Sequence, residues 1–469
     1  MMKNTLITAM IAASATLVGC GSSSSSDSDP VAGNTNVEAL VASNPRTLIT
    51  TATDYCSEFG GTLTASQCAL PSRITATDGS FSADLTYTLS GLTFLGYGDK
   101  KLEAASDVTY LKQNPVSLTI PAGTTIKGGD RTAFIVTRGA KLMAEGTSAA
   151  PVTFESTDGD LIGGGEWGGL VLQGFGVSNQ CPDTGLCNII SEGGVGEYGG
   201  DDNADSSGSL QYVVVTEGGF EIGTGNEVNG VGFMGVGSGT TVENLQVNEN
   251  ADDGVEFWGG AVVVKNLVLT NNADDSIDWD HGWVGGIQNA LVKQVNGEGD
   301  HLFETDNDGD AMDAEPRSMP TIANVTAISG GADSAIRHKE GTAAKMYNVA
   351  IVEQGTASVC LDVDHQQTAD QIDTGMIYTN VALGCATTLK GDDEVSGKDF
   401  GQALLDSQVS SIEVAAGLAV DANYVVSGNT AIQTAPTIDN ANITGNTTMG
   451  AVIDVNNKWF AGWTVAGSL

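Results

Sequence analysis

The sequence predicts an all-β chain, a single-stranded right-handed parallel β-helix of about ten coils with a cap at each end. Three observations carry this. A pattern of apolar, any, Asn, apolar, any, apolar occurs six times: Val-Glu-Asn-Leu-Gln-Val from Val242, Val-Lys-Asn-Leu-Val-Leu from Val264, Ile-Gln-Asn-Ala-Leu-Val from Ile287, Ile-Ala-Asn-Val-Thr-Ala from Ile322, Met-Tyr-Asn-Val-Ala-Ile from Met346 and Tyr-Thr-Asn-Val-Ala-Leu from Tyr378. Its asparagines, Asn244, Asn266, Asn289, Asn324, Asn348 and Asn380, follow one another at 22, 23, 35, 24 and 32 residues, the spacing of stacked units with loops in the longer steps. Alternation within each unit reads as strand, and 62 glycines against 10 prolines suit many tight corners. Parallel strands from successive coils would stack the asparagines about 4.8 Å apart, amide on amide. Asn324 is expected inside such a stack, between Asn289 and Asn348.

In chain order, residues 1–20 read as a lipoprotein signal peptide. Lys3 is its positive start and Leu6 to Val18 its apolar run, too short for a stable membrane span. Leu17-Val18-Gly19-Cys20 resembles the bacterial lipobox, which implies acylation of Cys20, and Gly21 to Pro30 is a Ser-rich tether. Gly21 is not the Asp that retains enteric lipoproteins in the inner membrane. The expected location is therefore the outer membrane of a Gram-negative bacterium, lipid-anchored at the cell surface. Residues 21–84 form tether and N-terminal cap, 85–390 the coils and 391–469 a C-terminal capping region. A glycine- and acid-rich insertion covers about 176–208, and a short helix is expected near Asp399–Gln408.

With Cys20 set aside, six cysteines remain as sequence neighbours, so Cys56–Cys68, Cys181–Cys187 and Cys360–Cys385 are the natural disulfides among the 15 possible connectivities. The net charge of −39 repels nucleic acid and anionic membranes and favours cations and basic partners.

Gly123–Ser156, Gly165–Gly174, Gly225–Val247, Ala251–Gly260 and the terminal Phe460–Thr464 resemble an uncharacterised family of bacterial cell-surface β-helix proteins, often lipoproteins. The resemblance implies a surface β-helix and carries no catalytic residue with it.

Chemistry is concentrated in one strand per coil, which bears acids at alternate positions. With Val255, Phe257, Ile277, Trp279, Phe303 and Ile336 facing inward, Glu256, Asp278, Asp280, Glu304 and Asp306 project outward as a carboxylate ladder ending in Arg337 and Lys339. Like charges one strand apart repel, so they must be protonated, paired or bridged by a cation. Three readings stay open: a solvated face, a cation-bridged surface that binds a ligand through Glu256, Asp278, Asp280 and Glu304, and an enzyme. The third rests on a partial resemblance to polygalacturonases in the order of Asp253, Asp274, Asp275, His301, Arg337 and Lys339. That resemblance implies acid and base roles for the aspartates and a uronate held by the basic pair. Gly-Asp-His at 299–301 and the intervening His338 depart from the polygalacturonase pattern.

A second cation candidate is the loop bearing Asp306, Asp308, Asp310, Asp313 and Glu315, whose alternating oxygens suit calcium although its spacing is not that of an EF-hand. His281, His301, His338 and His365 fall on different coils and read as solvated. Trp258, Trp279 and Trp283 could stack on sugar but read better as packing. The combined expectation is a calcium-stabilised surface protein that binds a ligand, carbohydrate or a surface-transporter partner, with no organic cofactor and no nucleic acid. A polysaccharide-degrading enzyme is the alternative, followed by a purely structural or adhesive protein.

Overall fold

The computed structural model describes residues 37–48, 55–182, 185–221, 228–295, 297, 299–331, 333–355, 358–390, 399–432 and 434–469. Contacts divide the chain into two units, 1–34 and 35–469. Cys20 and the leader belong to the first and lie outside the described residues.

The second unit is a right-handed parallel β-helix. Each coil gives one strand to an 11-stranded sheet that runs from Arg73–Ile74 to Thr387–Leu389, and the rest of the coil to a 16-stranded sheet. Side chains facing the interior form one continuous core, in which Phe233, Phe257 and Trp283 stack ring on ring at 4.9 and 3.9 Å. The expected boundary at residue 85 cuts these sheets, because Gln67–Ala69 already pairs with Thr86–Thr88 and Arg73–Ile74 with Phe94–Leu95.

The asparagine units are not straight strands. Every one of the six asparagines has a left-handed backbone, with φ between 56° and 62°. A straight strand from Val242 would point residues 242, 244 and 246 inward, whereas Val242, Leu245 and Val247 are the ones in the interior core. The left-handed corner resets the alternation and turns the chain from one face to the next, and Asn tolerates that conformation better than other residues with a side chain. Side-chain amide hydrogen bonds link Asn266 to Asn244 (3.2 Å), Asn289 to Asn266 (3.0 Å), Asn348 to Asn324 (3.0 Å) and Asn380 to Asn348 (3.0 Å). Between Asn289 and Asn324 the C-terminal tail intervenes: Asn324 donates to Thr444 O at 2.8 Å and accepts from Asn446 N at 3.2 Å.

That tail does more than cap. The helix Phe400–Ser407, with Asp399 accepting from Gln402 N, covers the end of the core, and Ile412–Val414 adds the last strand. The chain then runs back along the outside of the coils. Leu418, Val426 and Met449 cover Ile328, Ala350, Val352 and Ala382, and Phe460 and Trp463 lie with Val214, Val268 and Leu291. The three disulfides join the expected neighbours, Cys56–Cys68, Cys181–Cys187 and Cys360–Cys385.

Candidate functional site: an acidic strip beside a basic rung

The 11-stranded sheet sets the strip. Its register places Gly232, Glu256, Asp278, Glu304, Arg337 and Asp362 in one outward row. Two residues further along each strand, Trp258 pairs with Asp280, and backbone bonds from Asp306 N to Trp279 O, Lys339 N to Thr305 O and Asp364 N to His338 O carry a second row through Asp306, Lys339 and Asp364. At the corner before the strands, Asp275 N donates to Asp253 Oδ1 at 3.0 Å and His301 N to Asp275 Oδ1 at 2.6 Å, so Asp253, Asp275 and His301 form a third row. The ladder read from the sequence is therefore present in register.

The strip is less open than its alternation implied. Glu256, Asp278 and Asp306 are buried, Asp280 and Glu304 half-buried. Part of the cover comes from the 176–208 insertion: Tyr198 packs with Met234 and Trp258, Glu192 and Glu256 share the amide of Asn229, and Gln180 reaches His281 at 2.7 Å. Arg138, fully buried, anchors the base of this insertion through the carbonyls of Cys187 and Gly199, and burial lowers its pKa to about 10.

Electrostatically the strip has two halves. Lys339 Nζ lies 3.3 Å from Glu304 and 3.1 Å from Asp306; Arg337 lies 3.3 Å from Asp364 and 3.8 Å from both Glu304 and Asp362; Lys390 holds Asp333 at 2.8 Å and Asp362 at 3.2 Å. Burial opposes the charge on Lys339, but Asp306 and Glu304 outweigh it and hold its pKa above the usual lysine value. The other half holds Asp253, Glu256 and Asp278. Each offers an oxygen within 4.8 Å of the others, and none pairs with Lys or Arg among the described residues. Asp278 Oδ1 is buried and accepts no hydrogen bond. Burial first, and repulsion from neighbouring carboxylates second (Asp275 on Asp253, Asp278 on Glu256, Asp306 and Glu304 on Asp278), raise all three pKa values well above the carboxylate range. Burial also pushes Asp280 to about 7, and Asp275 to about 6 against the pull of His301.

The six residues ordered like a polygalacturonase site form one chain of contacts: Asp274 groups with Asp252 and Asp253, His301 Nδ1 lies 2.9 Å from Asp275 and 3.9 Å from Glu304, and Glu304 meets Arg337 and Lys339. The chain lies along the sheet. Asp253 and Asp275 give their oxygens to the backbone of the next coil rather than facing each other across a gap. The loop at 306–315, expected to hold calcium, is not gathered in this way. Asp308 accepts from Asp310 N and Ala311 N, Asp313 and Glu315 are exposed and turn to Arg317, and Asp306 turns to Lys339. Asn307 accounts for this, because its amide donates to Met312 O and Ala314 O and folds the loop on itself.

Two of the four histidines expected in solvent are buried. His301 is 1% exposed and His338 0%, the latter between Thr305 and Tyr378 with burial lowering its pKa to about 3. Trp258, Trp279 and Trp283 are buried as packing. Asp362, Asp364 and Lys390 were missed. The first two repeat the acid-apolar-acid spacing of Asp278 and Asp280 one coil beyond Arg337, a signal that extending the alternation finds. A separate acidic group joins the exposed Asp158 and Asp160 of the 156–163 loop to the buried Glu217, which accepts from Ser156 N and Ile162 N.

No curated protein matches this chain. Among solved structures, the crystal structure of pectate lyase Pel9A is similar at 12% identity and a TM-score of 0.31, over 60% of this chain and 70% of that one. A family model described as a pectate-lyase like beta helix domain matches residues 101–464. The chain belongs to that pectate-lyase-like β-helix family.

Proposed function

We propose that the strip is a divalent-cation-dependent binding surface for an acidic polysaccharide, carried on a lipid-anchored protein of the outer-membrane surface. One observation carries the reading. Asp253, Glu256 and Asp278 converge, buried and without a basic partner among the described residues, beside a second group whose bases are already engaged. Hard carboxylate oxygens at this spacing suit calcium. A calcium ion held there would keep coordination positions for an outside carboxylate, so a uronate polymer is the fitting ligand class. The family's pectate-lyase-like character supports a carbohydrate ligand.

Binding is favoured over hydrolysis by two features of the strip. An inverting hydrolase needs two carboxyl groups about 6.5–9.5 Å apart across a water-filled gap, whereas Asp253 and Asp275 are tied to successive coils. Lys339, with its raised pKa, is a poor proton acceptor as it stands. Degradation of the same polymer is the second reading, favoured by family membership. The test is retention on immobilised polygalacturonate in calcium and release by chelator, with Asp278→Asn failing to bind in either condition. Equal retention with and without calcium refutes the reading, and release of unsaturated or reducing ends by wild type but not by Asp278→Asn replaces it with the enzyme. For the anchor, Cys20→Ser should leave the membrane fraction or accumulate as precursor; undiminished membrane retention rules the lipid out.

A further inference from the structure

We propose that Lys339 is a tethered cation occupying the third rung of the strip where a metal ion would otherwise sit, which confines divalent-cation binding to the first two rungs. This rests on the cation reading above and adds to it where binding stops and what stops it.

The rungs follow from the register. Strand 255–258 supplies Glu256; strand 277–280 supplies Asp278 and Asp280; strand 303–305 and the next residue supply Glu304 and Asp306; strand 334–338 and its next residue supply Arg337 and Lys339. Adjacent rungs stand about 4.8 Å apart, within reach of a long side chain. Lys339 uses that reach to lean back one rung and put its ammonium between Glu304 Oε2 and Asp306 Oδ2, at 3.3 and 3.1 Å. Arg337 spends its contacts on the same Glu304 and on Asp362 and Asp364 beyond. No ion pair from either base reaches Glu256 or Asp278 among the described residues. Two buried oxygens that accept no hydrogen bond mark the two stations. Asp278, whose Oδ1 is one of them, groups with Asp253 and Glu256, and Asp306, whose Oδ1 is the other, turns its Oδ2 to Lys339. Each of the second and third rungs has one buried and one half-buried acid, and among the described residues an ammonium lies between the pair only on the third.

It follows that Arg337 and Lys339 are not free to hold a ligand carboxylate. Their charge is already matched by Glu304, Asp306, Asp362 and Asp364, so affinity for an anionic polymer must come from the metal station.

The experiment counts calcium ions per chain, by native mass spectrometry and isothermal titration on the full chain. Calcium is the only probe, at physiological ionic strength to screen exposed acids. Lys339→Met should bind one more ion than wild type, Lys339→Arg the same number, and Asp278→Asn one fewer. An unchanged count in Lys339→Met overturns the tethered-cation proposal while leaving the cation reading intact. Equal counts for wild type and Asp278→Asn overturn the cation reading itself. Should Lys339→Met fail to fold without calcium, recovery in calcium but not in matched sodium chloride supports the proposal, and no recovery, with Lys339→Arg folded, overturns it.

Discussion

Asn348→Ala is the sharpest perturbation of the fold, because Asn348 does two separable things. Its backbone is left-handed at φ 56°, and its amide donates to Asn324 Oδ1 at 3.0 Å and Asn446 O at 2.8 Å while accepting from Asn380 Nδ2 at 3.0 Å. Asn324 Oδ1 keeps a donor in Asn446 N, so truncation orphans two groups, Asn380 Nδ2 and Asn446 O. At about 1–3 kcal/mol for each buried group left unpaired, taking the lower half of the range because Asn380 and Asn446 are both half-buried, the loss is about 2–4 kcal/mol. Alanine in the left-handed region adds about 1–2 kcal/mol, which glycine would not. Asn348→Ala should therefore unfold at the lowest denaturant concentration, Asn348→Gly between it and wild type, and Asn348→Asp near Asn348→Gly, since Asp tolerates the backbone but donates nothing. Urea titration followed by circular dichroism and tryptophan fluorescence reads the order, and midpoints are compared directly because a solenoid need not unfold in two states. A wild-type midpoint for Asn348→Ala would refute both the ladder and the left-handed corner, and Ala no worse than Gly would refute the corner alone.

Stability should also depend on pH in the direction opposite to ordinary acid denaturation. Carboxyls whose folded pKa is raised, Asp275 to about 6 and Asp280 to about 7 with Asp253, Glu256, Asp278 and Asp306 higher than usual, bind more protons folded than unfolded. Their contribution is full below the unfolded value of about 4 and is lost as pH rises through the folded values. His301, also raised, acts with the same sign, whereas His338, lowered to about 3, and His281, lowered to about 4, act with the opposite sign up to about pH 6.5. Above the histidine range, in chelator, thermal melts should fall from about pH 6.5 to about pH 8, and calcium should restore most of the loss at the upper end; a melt that rises over that range contradicts the buried acids. Trp463→Ala removes a buried side chain that meets Tyr212 edge-on at 5.8 Å, and should cost about 3–5 kcal/mol and expose Val214, Val268 and Leu291 to a hydrophobic dye. Unchanged dye binding would mean the tail does not hold the outer face.

The solenoid was legible because one residue type, Asn, recurs where the backbone must turn left-handed. The direction of the turn was not, since alternation counts residues without registering a corner. The tail's return along the coils had a signal that went unread. Leu267-Val268-Leu269 and Ala290-Leu291-Val292 are apolar on both faces, and a strand with two apolar faces must be covered twice. At the site, the alternating acids and the bases beyond them were visible one coil at a time. Their burial was not, because Tyr198 and Glu192 come from an insertion whose docking depends on contacts far apart in sequence. The loop at 306–315 looked like a cation site because its acids alternate, yet Asn307 and Arg317 take up its backbone and carboxylates, an arrangement that composition does not encode.

The most direct measurement is a crystal structure grown in calcium with a short oligogalacturonate. One ion is expected, bound by Asp253, Glu256 and Asp278, with a uronate carboxylate completing its shell and Lys339 still between Glu304 and Asp306. An ion or sugar bound elsewhere, with those three carboxylates empty and protonated at neutral pH, would contradict it.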